Sequence, residues 1–226
     1  MIHNSNKYVV CQIASGFTDQ IWNLRAAISI QKLYNKNVKL DVSWFNEYGK
    51  DYLGVENRNL EILNVFKDID LPLASKDEIE NAKKDLFIHG DKYSNIDKFL
   101  KQNKKIYVDG YCAHFNKISN LLDFNEIFDL DKYLHPLLNK MQLKYYKDIV
   151  DCESVALHIR RGDYMYACIK SGINIRVNID YINKCLKYFN DKFGNVKFYI
   201  FSNNFDYVKN NILPLLEGRY KYDLIE

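Results

Sequence analysis

Residues 8 to 42 read as a single βαβ unit. Tyr8-Val9-Val10-Cys11-Gln12-Ile13 is an apolar run of strand length, Ala14-Ser15-Gly16-Phe17 a turn, and Thr18 to Tyr34 a helix for which Thr18 or Asp19 supplies the cap. Val38 to Val42 is the next strand. Two strands joined by a helix lie parallel, so the chain starts as an α/β protein. The Gly16 turn falls at the carboxyl end of the first strand, the edge at which open α/β sheets bind ligands.

The same alternation of elements returns later. Ser43 to about Leu71 is irregular, Ser75-Lys76-Asp77-Glu78 has capping-box form and opens a polar helix to about Asp85, and Lys105 to Tyr111 reads as a strand. Leucines, Tyr145 and Tyr146 at helical spacing between about Asp123 and Ile149 close a first half, which places a domain boundary near 150. A second series follows: a strand at Ser154 to Arg160, a helix from Asn178 as cap to Phe193 with Gly194 past its end, and a strand at Val196 to Phe201. Phe205 to Leu216 reads as a helix and Tyr220 to Ile225 as a strand.

Chemistry concentrates in Val155-Ala156-Leu157-His158-Ile159-Arg160-Arg161-Gly162-Asp163-Tyr164. Val155, Leu157 and Ile159 alternate to one face, so His158 and Arg160 share the other. In a parallel sheet Arg161, Gly162 and Asp163 fall at the carboxyl end of the strand, where a nucleotide phosphate lies. Guanidinium groups suit a diphosphate because a fixed fork of N–H donors holds two oxygens and keeps its charge. A bare Arg-Arg pair also caps exposed strand ends, and only the full string His-x-Arg-Arg-Gly-Asp after an apolar strand is specific.

That string resembles the fucosyltransferases of glycosyltransferase family 11, of the bacterial α-1,2 type, and the resemblance runs the length of the chain. Ser15-Gly16-Phe17-Thr18-Asp19-Gln20-Ile21-Trp22 is similar to the family's Gly-Gly-x-Gly-Asn-Gln loop. Val38-Lys39-Leu40-Asp41, Ile69 to Ser75, Tyr107-Val108-Asp109-Gly110-Tyr111, Ile179-Asp180-Tyr181 and Phe198 to Ser202 are similar to family segments in order. The resemblance implies a GT-B-like fold of two Rossmann-like lobes, with residues 1–150 as the acceptor side and 151–226 as a partial lobe for the donor. It implies GDP-fucose as donor, a terminal galactose as acceptor, inversion, and no metal or other cofactor. Arg161, helped by Arg160 and His158, would stabilise charge growing on the β-phosphate. Asp163 is the motif's carboxylate; as a base it would be weakened by adjacent arginines, and orienting Arg161 is an equal role. Gly16, Ser202 and Asn203 complete the expected donor contacts.

The pattern also departs from the family. Ser15, Thr18 and Asp19 replace two glycines and an asparagine, and Asp19 adds negative charge near the expected diphosphate. Ser202-Asn203-Asn204 stands where the family carries acidic residues, and no Asn-Ser-x-Phe/Tyr-Ser-Trp-Trp segment follows, the tryptophans being Trp22 and Trp44. The expected second lobe is therefore incomplete. A truncated, noncatalytic remnant is the rival expectation, and a nonenzymatic nucleotide-binding module a third that requires a complete nucleotide site.

Composition limits partners. The formal charge is 32 − 29 = +3, too near neutral for a large nucleic-acid surface, so no nucleic acid is expected. Lys83-Lys84 and Lys101 to Lys105 offer charge for peripheral contact with acidic phospholipid, although short runs of this kind are usually solvated faces. Cys11, Cys112, Cys152, Cys168 and Cys185 are scattered without a Cys-x-x-Cys pair, which fits a reducing cytosol. No apolar run approaches the roughly 20 residues of a membrane span, and the N-terminus lacks signal-peptide layout. Asp68-Ile69-Asp70 and Asp129-Leu130-Asp131 have the letters of a metal motif but follow no apolar strand, and His89, His114 and His135 form no ligand pair by spacing.

Overall fold

The structure is a computed structural model describing residues 7–50, 54, 57–89, 96–110, 122–170, 172 and 178–226. It divides into two compact units, Met1–Leu137 and Leu138–Glu226. The division thus falls ahead of the boundary expected near 150, and the helix before the second series belongs to the second unit.

The first unit contains β1 (Val9–Gln12), α1 (Phe17–Tyr34), β2 (Val38–Asp41), α2 (Trp44–Glu47), α3 (Ile62–Val65), α4 (Lys76–Asp85), β3 (Phe87–His89), α5 (Asp97–Leu100), β4 (Ile106–Asp109), α6 (Phe124–Ile127) and α7 (Leu130–Leu134). A 3-10 turn, His135–Leu137, follows. The four strands form a parallel sheet in the order β2-β1-β4-β3. Alternate residues divide between its faces, as strand geometry requires. Val9, Cys11, Val38, Leu40, Ile88, Ile106 and Val108 pack with Leu24, Ala27 and Ile28 of α1. Val10 and Tyr107 pack on the opposite face with Ile79 and Ala82 of α4. The order reverses direction between β1 and β4, which makes that crevice the switch point of the sheet.

Polar residues on the inner side of α1 also hold loops. Arg25 donates through Nε and Nη2 to the Leu122 carbonyl (2.8 and 2.6 Å), while the Ser29 hydroxyl accepts from the Leu122 N–H at 3.2 Å. At α4 the capping box is as read from sequence: the Ser75 hydroxyl accepts from the Glu78 N–H, and the Glu78 carboxylate accepts from the Ser75 N–H. Glu78 also pairs with Lys39, which holds its carboxyl below the usual range.

The second unit contains α8 (Lys140–Val150), β5 (Ser154–Ile159), α9 (Asp163–Lys170), α10 (Ile179–Phe193), β6 (Lys197–Ser202), α11 (Phe205–Asn211), α12 (Leu213–Leu216) and β7 (Lys221–Ile225). Its sheet, order β5-β6-β7, is parallel throughout. Val155, Leu157, Ile159, Phe198, Ile200 and Leu224 pack against Ile182 and Leu186 of α10, Val208 of α11 and Leu216 of α12. Asn178 caps α10, its side-chain oxygen accepting from the Asp180 and Tyr181 N–H groups at 2.9 and 3.2 Å. Gly194 ends the helix with φ +62°. The expected single helix over Phe205 to Leu216 breaks at Ile212, because Pro214 starts a new turn. Both units are therefore α/β with parallel, Rossmann-like sheets. Among the described residues no helix is long and apolar enough to cross a membrane.

Candidate functional site

Two loops leave the carboxyl ends of adjacent strands in the second unit, Arg160-Arg161-Gly162 after β5 and Asn203-Asn204 after β6. Side chains fasten them together. The Ser202 hydroxyl donates to the Ile159 carbonyl at 2.6 Å and accepts from the Asn204 N–H at 3.0 Å. Asn203 Oδ1 accepts from the Arg161 N–H at 2.8 Å. Asn204 caps α11 by accepting from the Tyr207 N–H at 2.9 Å. Gly162 has φ +55°, which favours glycine, and a Cβ there would stand 2.7 Å from Asn203 Nδ2, so any side chain would have to displace the Asn203 amide.

Fastening the backbone aims the side chain. The Arg161 guanidinium lies over the Tyr207 ring, Cζ to centroid 3.8 Å, and is partly buried. Attraction between the cation and the ring face holds the guanidinium against Tyr207. His158 and Arg160 are exposed; His158 lies on the face opposite Leu157 and Ile159, as alternation predicted. Asp163 is the first residue of α9, and its side chain lies outside the described part, as does Cys168. Ser202 and Asn203, expected as donor contacts, thus use their hydroxyl and carbonyl oxygen to set the Arg161 loop.

The first unit places Gly16 at the carboxyl end of β1, far along the sequence from this motif. Gly16, not Thr18 or Asp19, is the N-cap residue of α1, with φ −72°, ψ 166° and no side-chain cap. Thr18 and Asp19 lie inside the first helical turn, where the Asp19 charge favours the helix dipole. A Cβ on Gly16 would meet Asp19 Oδ2 at an ordinary 3.6 Å. The left-handed position is Ser15, φ 68°. Ser15→Gly is therefore expected to raise stability by about 1 kcal/mol, read as a higher urea midpoint at unchanged slope. A lower midpoint would show that the serine side chain contributes more than the strain removes.

Sequence reasoning assigned no role to Gln20, which is 1% exposed. Its Nε2 donates to the Ser15 and Asn59 carbonyls (3.0 and 2.8 Å), and its Oε1 accepts from the Glu61 and Ile62 N–H groups (3.0 and 3.1 Å). One amide ties the turn to the segment before α3. Of the two Asp-x-Asp sequences, Asp68 pairs with Lys132 at 2.5 Å and Asp129 caps α7 through the Lys132 N–H. His114 and Cys112 lie outside the described residues, as does Tyr111 at the end of the expected strand.

Residues 45–220 match the model of glycosyl transferase family 11. The chain belongs to that family. Its relatives include an alpha-1,2-colitosyltransferase of Escherichia coli, 23% identical over 221 residues, 89% of this chain and 70% of the relative. The O-antigen biosynthesis glycosyltransferase WbnK of Escherichia coli is 25% identical over 228 residues, 88% of this chain and 73% of its own. Among solved structures, the fucosyltransferase NodZ from Bradyrhizobium aligns with 98% of this chain and 79% of its own, at TM-score 0.42 and 11% identity. The stretch matched by the family model includes His158, Arg160, Arg161, Ser202, Asn203 and Tyr207, and it starts after Gly16 and Gln20.

Tyr207 was not singled out in the sequence. Its signal was available in outline, since Asn204 as a helix cap puts Tyr207 in the first turn beside the strand end. Nothing local in the sequence shows that Arg161, 46 positions earlier by 207 − 161, lies over the ring.

Proposed function

We propose that this family member transfers fucose from GDP-fucose to the 2-hydroxyl of a terminal galactose, with inversion and without a metal, in surface-glycan biosynthesis. The arrangement of Arg161 carries this reading: its backbone is fixed by Asn203, its guanidinium is laid over Tyr207, and both stand at the carboxyl edge of a parallel sheet. That is where a diphosphate meets a nucleotide-binding sheet. As the bond from the sugar C1 to the phosphate oxygen breaks, negative charge grows on the β-phosphate. A preset guanidinium stabilises that charge without reorganising, with Arg160 and His158 adding positive potential. Ser202 and Asn203 belong to the proposed donor contacts through the loop they hold; Asp163 stands two residues after Arg161 in the motif. The 1,2 linkage in the name of one relative and the O-antigen role in the name of another support the proposed linkage and setting.

The test is to incubate the full chain with GDP-fucose and a galactose-terminated oligosaccharide and to measure both GDP released and fucosylated product. Equal yields of the two are expected. Well-folded protein that makes no product would replace this reading with a noncatalytic remnant, or, if GDP still binds tightly, with a nucleotide-binding module.

A further inference from the structure

Lysines from separate stretches of the first unit meet at the amino edge of its sheet. Every strand of a parallel sheet is entered at that edge, β2 from the end of α1, β3 from the end of α4 and β4 from the segment after α5. Hydrogen bonds tie the entries together. The Val9 N–H donates to the Asn37 carbonyl at 2.8 Å, the Ile106 N–H to the Tyr8 carbonyl at 3.0 Å and the Tyr107 N–H to the Leu86 carbonyl at 2.8 Å. Lys36 Nζ donates to the Gln102 carbonyl at 3.3 Å, and the Asp85 carboxylate accepts from the Lys105 N–H at 2.8 Å.

This edge is strongly basic. Residues 32–37, 83–86 and 97–105 together hold eight lysines and two aspartates, 8 − 2 = +6. The whole chain is +3, so everything else sums to 3 − 6 = −3, and the near-neutral total conceals one cationic surface. Of the two aspartates, Asp97 is buried and accepts from the Tyr34 hydroxyl at 2.6 Å, and Asp85 is engaged by the Lys105 backbone. Lys32, Lys83, Lys84, Lys101 and Lys104 are exposed, and none of them forms an ion pair among the described residues.

Apolar side chains stand among these lysines. Leu33, in the last turn of α1, and Phe87, which opens β3, are 41% and 45% exposed. Lysines in the last turns of α1 and α4 complement the helix dipoles, which accounts for Lys32, Lys83 and Lys84. It does not account for Lys104 and Lys105 in the loop before β4, or for the uncovered Leu33 and Phe87. A bilayer with acidic headgroups fits both features: its diffuse negative potential draws lysines, and apolar side chains between them enter the headgroup boundary. The three stretches contain no arginine, the side chain whose fixed fork grips a single phosphate, so this surface suits spread charge. The carboxyl edge, at the other end of the same strands, points away from it.

We propose that the amino edge of the first sheet is a docking surface for an acidic phospholipid bilayer.

Cosedimentation of the full chain with unilamellar vesicles tests this, using phosphatidylcholine alone or mixed with phosphatidylglycerol. Binding to the mixed vesicles alone is expected, weakening by about tenfold or more between about 0.1 and 0.5 M salt. Replacing Lys83, Lys84, Lys101 and Lys104 together by glutamine should lower the partition coefficient by about 10²-fold or more, at about fivefold for each lysine. Leu33→Ser should lower it by about threefold at every salt concentration, because the apolar contribution is not screened. The same four-charge change made at Lys144, Lys147, Lys184 and Lys187, exposed lysines of the second unit, should leave binding within about threefold of wild type. Equal losses in the two quadruple variants would overturn the proposal, because net charge rather than this edge would then drive binding. It would equally be overturned by failure to bind the mixed vesicles, by equal binding to phosphatidylcholine alone, or by binding to duplex DNA as tight as to the mixed vesicles.

Discussion

Under the proposed function, Arg161→Ala is expected to lower kcat for fucosyl transfer by about 10²–10³-fold, the usual loss when one preset donor to a developing anion is removed. The melting temperature should move by no more than about 4 °C, because the deleted contact is one stacked pair at the surface. Arg161→Lys separates charge from geometry. Lysine keeps the positive charge but loses the planar fork that can hold two phosphate oxygens and the delocalised cation over Tyr207, so most of the rate loss should remain. Tyr207→Leu removes the ring alone and is expected to raise KM for GDP-fucose by about threefold to tenfold, with a smaller change in kcat. Full activity in Arg161→Ala would mean that the leaving phosphate is stabilised elsewhere. Product and released GDP, measured together with the melting curve, distinguish that outcome from unfolding.

The position of Arg161 was legible because it depends on local pattern. Val155, Leu157 and Ile159 alternate, a parallel sheet puts the next residues at the carboxyl edge, and the structure has that sheet. Helices with strong end signals were equally legible: Ser75 and Glu78 fixed the start of α4, and Asn178 and Gly194 bracketed α10. Strand β3 was not. Three residues, Phe87–His89, are too few to show a period, and what makes them a strand is pairing with Tyr107 to Asp109, eighteen or more positions along the chain. Missing β3 hid the meeting of His89 with Asp109. The turn after β1 was located correctly, but nothing in the sequence marked Ser15 as the residue that takes the positive φ within it. Side chains acting across the sequence were equally hidden. Asn203 reads as a loop asparagine until the Arg161 N–H is found on it.

Gln20→Met is expected to destabilise the first unit by about 3–4 kcal/mol, near the upper end for a single substitution. Methionine matches glutamine in volume, so the loss reports hydrogen bonding rather than a cavity. The amide satisfies four backbone groups, and the Ile62 N–H among them is buried with its bond. Without the amide those groups keep their desolvation penalty unless the segment before α3 lifts away to meet water. That lifting would uncover Ile62, which is fully buried in the main core of the unit. Either response is unfavourable. Trp22 and Trp44 are the tryptophans of the chain and both belong to the first unit, so their fluorescence follows that unit's unfolding in urea. The midpoint should fall while GDP affinity, set by Arg161 and its neighbours in the second unit under the proposed function, stays at the wild-type value. A loss under about 1 kcal/mol would show that water replaces the amide at little cost, and that the loop is held by its apolar contacts. A full loss would make Gln20 the residue through which α1 fixes the turn at the carboxyl end of β1, with Ser15 carrying the strained backbone and Gln20 holding its carbonyl.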